Sequence, residues 1–187
     1  MAGSLLQDFL DAQDPTLVIQ EPSPTQQWCP PKAHTFKVNF DATVFKLDNL
    51  AGVGVVIRDW RGEAIGALSM TVPLAQTVVE LEALACRRAV QFTMEIGLAE
   101  VTFEGDLATV IQAISEGTSD SSAFGHIADD ICMLAETFQF SLFTHVPRNC
   151  NVVADSLAKK AKTIRGTQVW LDSLPEDIAH LVSFDVH

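Results

Sequence analysis

The sequence predicts an α/β domain with a mixed five-stranded sheet flanked by helices, and three observations carry that prediction. Three alternating apolar segments follow one another closely between Thr35 and Met70. At Glu80 the apolar period changes from two residues to that of a helix. Two strand–helix units come next, and a further short helix closes the pattern before the chain turns acidic again.

Composition agrees with a single packed core. Of 187 residues, 48% are hydrophobic and 19% charged, which excludes wholesale disorder. The longest uncharged run, Ala64 to Val79, is too short to cross a membrane and is broken by Gly66 and Pro73. The N-terminus has no basic segment ahead of its apolar stretch, and Gly stands at position 3 rather than 2. Neither secretion nor N-myristoylation is therefore expected. Cys29, Cys86, Cys132 and Cys150 show no CxxC spacing and read as reduced thiols of the nucleus or cytoplasm.

Residues 1–31 are rich in Pro, Gln and acid and read as a flexible leader, with a short helix over Ser4–Asp11. The domain is expected over residues 32–166. Thr35–Thr43 alternates as a strand with Phe36, Val38 and Phe40 on one face. Ala51–Arg58 and Ala64–Met70 are two more strands, joined through the turn residues Asp59-Trp60-Arg61-Gly62 into an antiparallel meander. Glu80–Ile96 is a helix stopped by Gly97. Val101–Glu104 is a short strand leading into a helix over Leu107–Ser115, and a loop over Gly117–Ser122 precedes a helix over Phe124–Phe138. Ser141–Val146 is the last strand, and Asn151–Lys162 the last regular helix. Residues 167–187 read as an acidic tail docking on the domain. Right-handed crossovers place strands four and five parallel to the first, on its free side, giving the order 3-2-1-4-5.

The net charge of −12 on its face opposes binding to a polyanion. Its distribution weakens that objection, because leader and tail carry −4 each with no Lys or Arg. Arg148, Lys159, Lys160, Lys162 and Arg165 share one short stretch with a single acid, Asp155.

Four acids come from elements that this topology brings to one sheet edge. Asp41 lies on the first strand, opposite in face to Phe36, Val38 and Phe40. Asp106 lies just past the fourth strand, where an Asp ahead of a helix otherwise reads as an N-cap. Of the two acids opening the long helix, Glu82 falls nearer the apolar stripe and can border the sheet, whereas Glu80 points toward solvent. Asp155 sits in the first turn of the last helix, a position the helix dipole also favours. Four carboxylates at close range raise one another's pKa unless a counter-charge intervenes, and hard oxygen donors without Cys or paired His suit Mg2+ or Mn2+.

The segments FKVNFDAT, AGVGVVIRDWRGEAIGA, VELEALACRRAVQFTMEIGL, VTFEGD and HVPRNCNVVADSLAKKA resemble the type-1 ribonuclease H domain, in the form found in plants and in plant retrotransposon polyproteins. The resemblance runs from Pro30 to Ala161 in the right order and implies a ribonuclease H-like fold. It implies an endoribonuclease that cuts the RNA strand of an RNA–DNA hybrid with two Mg2+ ions, Mn2+ being a possible substitute. Carried over by motif, Asp41, Glu82, Asp106 and Asp155 are the metal ligands and catalytic acids. His145, ten residues before Asp155, matches the family's proton-managing His.

Asn151, Arg148, Ala42, Thr43, Lys159 and Lys160 are candidate substrate contacts, to 2'-hydroxyls across the minor groove or to phosphates. The sequence departs from the family at Ala42, where Gly is usual, and at Leu107, where Ser is usual. Those departures and the acidic ends support a rival reading, a weak or inactive binding module left by a retroelement. A nuclease of the same fold acting on DNA is a third. The expected partners are an RNA–DNA hybrid and, as a setting, a reverse-transcriptase polyprotein, with no membrane involved.

Overall fold

The computed structural model describes residues 27–117 and 122–185. The helix expected over Ser4–Asp11 and most of the loop after Gly117 lie outside them. The strands are β1 (Phe36–Phe45), β2 (Leu50–Arg58), β3 (Ala64–Pro73), β4 (Glu100–Gly105), β5 (Phe140–His145) and β6 (Thr167–Leu171). The helices are α1 (Val78–Ile96), α2 (Ala108–Glu116), α3 (Ala123–Ala135), α4 (Val152–Lys160) and α5 (Glu176–Asp185).

The sheet runs β5-β4-β1-β2-β3-β6. β1, β2 and β3 form the expected antiparallel meander, and β4 and β5 add in parallel on the free side of β1. The expected five-strand order is present, but the count is six. Residues 167–171 pair antiparallel with β3, so the stretch read as a tail extends the sheet. The segment is only five residues long, and its outward positions include Val169 and Leu171, 44% and 61% exposed. The apolar-in, polar-out alternation that marks a half-buried strand is therefore missing there.

One face of the sheet carries the main core. Val38 and Phe40 of β1 and Val53, Val55 and Ile57 of β2 pack there with Ala85, Ala89 and Phe92 of α1 and with Ile127 and Ile131 of α3. Helix α1 starts at Val78, two residues before the expected Glu80. Thr77 caps it, its hydroxyl accepting the Glu80 N–H at 3.1 Å. Gly97, at φ 84°, ends it in the left-handed conformation that glycine adopts without penalty.

The opposite face receives α4, and it does so at very short range. A Cβ built on Gly54 would fall inside contact distance of the Ala154 carbonyl and the Ala158 amide, and one on Gly52 would meet the Ala158 carbonyl. Bare backbone at these two positions lets the helix settle directly on β2. Ser69 Oγ donates to the Leu157 carbonyl at 2.7 Å, and Thr71 Oγ1 bonds the Ala161 and Ile164 carbonyls at 2.9 Å each. Two hydroxyls of β3 thus tie down the C-terminal end of α4 and the turn that follows it.

The far end of that face is closed by Trp28, whose surrounding composition predicts a flexible leader. It is only 2% exposed. Its indole Nε1 donates to Glu104 Oε2 at 3.0 Å, and the Arg58 guanidinium stacks 3.4 Å from its ring centroid. Asn39 also donates to Glu104 at 3.0 Å and accepts from Arg58, while Lys37 pairs with Glu104 at 2.7 Å. A buried Glu104 is tolerable because several donors converge on it. Trp28 shields this group from water and adds a cation–π contact.

The seating of α4 makes a prediction. Gly54→Ala should lower unfolding stability in urea by about 1–3 kcal/mol or more, since backbone atoms must move. Gly66→Ala should cost less, because the nearest atom there is the flexible tip of Ile96. Equal small losses would mean that α4 is not held against the sheet as described.

Candidate metal centre

Two strands and two helices bring their acids to one point. β1 pairs with β4 only as far as Asn39 opposite Glu104, and then runs on past the end of β4. Asp41 and Asp106 therefore lie near each other where β4 stops. Glu82, in the second turn of α1, is 6% exposed and reaches the same place from the core side. One carboxylate oxygen from each of Asp41, Glu82 and Asp106 lies within 4.8 Å of the others. Asp155 approaches from the opposite face. Gly54, which seats α4, is also the β2 partner of Asp41, and so the helix sets Asp155 within hydrogen-bonding reach of the Asp41 carboxylate.

Burial dominates the electrostatics. The Asp41 carboxyl is pushed up to about 8, first by burial and then by the charges of Asp106 and Asp155. Glu82 is pushed up to about 9, again by burial first and then by Asp41 and Asp106. The mutual repulsion expected from the sequence is present but is not the largest cause. Opposing it, the Ala42 backbone N–H favours the charged form of both carboxylates, and Arg148 favours that of Glu82. Dry, protonated carboxyls packed this closely suit a divalent cation, which replaces the protons and neutralises the charges. The donor set of hard oxygens, with no thiolate or imidazole among the three converging ligands, fits such an ion.

The other residues singled out from the sequence divide by position. His145, at the end of β5, puts Nε2 3.2 Å from the Asp106 backbone carbonyl, at the exposed rim of the cluster. Arg148 is 90% exposed and reaches Asp106 at 3.5 Å. Lys159 pairs with Asp155 at 2.6 Å, one helical turn on. Lys160, expected to meet phosphates, is instead tied to Asp177 of α5 at 2.9 Å. Asn151 is also placed differently from its expected role as a substrate contact. It is 1% exposed and its Nδ2 donates to the Phe40 carbonyl at 2.9 Å, strapping the start of α4 to the residue before Asp41. Glu80 stays outside the cluster. Thr43 is half-buried on β1.

Both departures from the family pattern bear on packing. Ala42 is partly buried, and its methyl packs against the main core. Leu107 occupies the N-cap of α2 without a side-chain hydrogen bond and also packs on that core, exchanging a cap for apolar burial. Gly52, Gly54, Ser69 and Thr71 position the site without having stood out in the sequence. Their signal was available as small residues recurring every second position on one strand face.

The raised carboxyls fix the sign of a pH effect. Between their ordinary values, 3.8 for Asp and 4.5 for Glu, and about 8 and 9, the folded metal-free protein binds more protons than the unfolded chain. Its stability should therefore fall as pH rises through that window. In chelator, the thermal midpoint should drop between pH 5 and pH 9, and Asp41→Asn should flatten the drop. A midpoint that rose over this range would contradict the burial assigned to these acids.

Comparison with known proteins agrees with this geometry. A family model described as reverse transcriptase-like matches residues 39–161, which span the cluster from β1 to the end of α4. Ribonuclease H1 from the halophilic archaeon Halobacterium salinarum superposes with a TM-score of 0.63 at 23% identity, over 69% of this chain and 98% of that one. The ribonuclease H domain of a Mycobacterium tuberculosis protein gives 0.61 at 20% identity, over 69% and 94%. LC11 ribonuclease H1, solved with an RNA/DNA hybrid, gives 0.60 at 22% identity, over 67% and 95%. No match is found among curated protein sequences. The chain belongs to the reverse transcriptase-like family of ribonuclease H-like domains.

Proposed function

We propose that this chain is an endoribonuclease that cuts the RNA strand of RNA–DNA hybrids with the help of Mg2+, Mn2+ being able to substitute. The observation that carries the reading is the convergence of Asp41, Glu82 and Asp106 within 4.8 Å on a fold shared with an enzyme solved on an RNA/DNA hybrid. Asp41, Glu82, Asp106 and Asp155 would hold two ions, Asp41 lying between the acids of β4 and of α4. The bound ions supply a water of lowered pKa and charge neutralisation at the leaving 3' oxygen.

The chain's own residues do the rest. His145 stands at the rim beside the Asp106 carbonyl, where its ring can take up and release a proton near the departing end. Arg148 offsets charge over Asp106 and Glu82. The β1 backbone at Ala42 and Thr43 faces the place where 2'-hydroxyls of a minor groove would lie, and the Ala42 methyl, turned into the core, leaves that backbone open. No described helix is long and apolar enough to cross a membrane. A retroelement polyprotein is the setting we infer, in keeping with the likeness to the foamy virus protease–reverse transcriptase (TM-score 0.55, 16% identity, over 76% of this chain and 22% of that one).

The test is cleavage of end-labelled RNA–DNA hybrid in Mg2+, beside double-stranded RNA and double-stranded DNA. The RNA strand of the hybrid alone should be cut. Asp41→Asn should lower the rate by more than about a hundredfold, since even outer partners of metal ligands are worth 10–100-fold. Absence of cutting by folded protein in Mg2+ or Mn2+ would favour a binding module instead. Cutting of DNA alone would retain the metal chemistry and reject the substrate.

A further inference from the structure

The chain has 24 acids and only 12 Lys and Arg, so an unpaired cation is the exception. Of the basic stretch near the C-terminus, Arg148, Lys159 and Lys160 are each taken by an acid of the fold. Among the described residues, the cations that pair with no carboxylate are Lys32, Lys46, Lys162 and Arg165. Two of these four line one groove, and a third stands in the turn beside it. Lys162 and Arg165 line a groove of about 520 Å³ between the end of α4 and the β1–β2 turn, along with Phe45, Leu50 and Thr71. Lys46 stands in that turn, next to Phe45. The one acid on the groove, Asp48, pairs with none of the three. Like charges gathered without partners repel one another, and an acidic protein had many carboxylates with which to quench them.

The groove is also in line with the metal centre. Asp155, Lys159 and Lys162 recur at i, i+4 and i+7, on one face of α4 and its continuing turn. Along the helix axis Lys162 lies roughly 10 Å beyond Asp155. Phosphates of one strand rise about 3.4 Å apart, so this reach corresponds to about three nucleotides.

We propose that this groove holds the phosphate backbone of the nucleic acid about three nucleotides from the phosphate being cut, which rests on the hybrid-nuclease reading above. Lys162 and Arg165 make the contact from the α4 side and Lys46 from the turn. The groove thus gives an acidic chain a local grip on a polyanion and sets the direction in which the duplex leaves the site.

The test compares the full chain with the double variant Lys162→Gln/Arg165→Gln and with Lys32→Gln, the unpaired cation outside the groove. Binding of a fluorescent hybrid is followed in Mg2+ against salt, in an Asp41→Asn background that does not cut. The double variant should make the slope of log affinity against log salt shallower by about two, and Lys32→Gln should leave it unchanged. In the active chain the double variant should raise KM and spare kcat on a long hybrid. It should have no effect on a hybrid trimmed to end short of the groove. An unchanged slope and KM, with the parent chain binding and cutting hybrid normally, would overturn the groove assignment alone. Failure of the parent chain itself to bind or cut hybrid would instead overturn the hybrid-nuclease reading, and this inference with it.

Discussion

Helix α4 rests on β2 where Gly52 and Gly54 offer no side chain, and Asp155 reaches the other three acids because of that contact. Gly54 is the partner of Asp41 across β1 and β2, so the residue pressed down beside it on the helix, Asp155, arrives at Asp41 from the face opposite Glu82. Everything else that touches the helix reinforces this seat. Asn151 straps its first turn to the Phe40 carbonyl, and Ser69 and Thr71 hold its C-terminal end and the turn after it. β6 then pairs with the outer edge of β3, and Ile178 of α5 packs with Val153, Ala154 and Leu157 of α4. The C-terminal segment, which lies beyond the family match, thus supports the helix that carries the fourth acid.

The carboxyl cluster is costly to the fold when no counter-charge neutralises it. Burial puts Asp41 and Glu82 near 8 and 9, far above their usual range, so that ionising them without a counter-charge works against folding. Groups that must be dry and crowded to hold a divalent ion destabilise the protein that lacks it. The main core on the other face, from Val38 and Phe40 through α1 and α3, supplies the apolar burial that offsets this. Lys159 and Arg148 reach two of the carboxylates from the exposed rim, where solvent screening keeps their contribution modest.

Much of this was legible in the sequence because it depends on local period. The alternation of Phe36, Val38 and Phe40 set the face of β1 and left Asp41 on the other, and the angular position of Glu82 against Glu80 identified which acid borders the sheet. What was not legible depends on tertiary contact. Trp28 sits in a Pro- and Gln-rich stretch whose composition reads as unstructured, yet its ring is needed to close over Arg58 and Glu104. β6 is too short and too exposed to show a half-buried alternation. Asn151 reads as a candidate substrate contact in the sequence, and its bond to the Phe40 carbonyl depends on the fold. The partners of Lys159 and Lys160 come from one helical turn away and from α5, and only the latter required the fold.

The most direct measurement is anomalous scattering from Mn2+ in crystals of the full chain grown with an RNA–DNA hybrid, using a variant that does not cut. Manganese is predicted to bind among the carboxylates of Asp41, Glu82, Asp106 and Asp155, against the RNA strand. A hybrid bound elsewhere, or manganese absent from that cluster while the protein is folded, would contradict that placement.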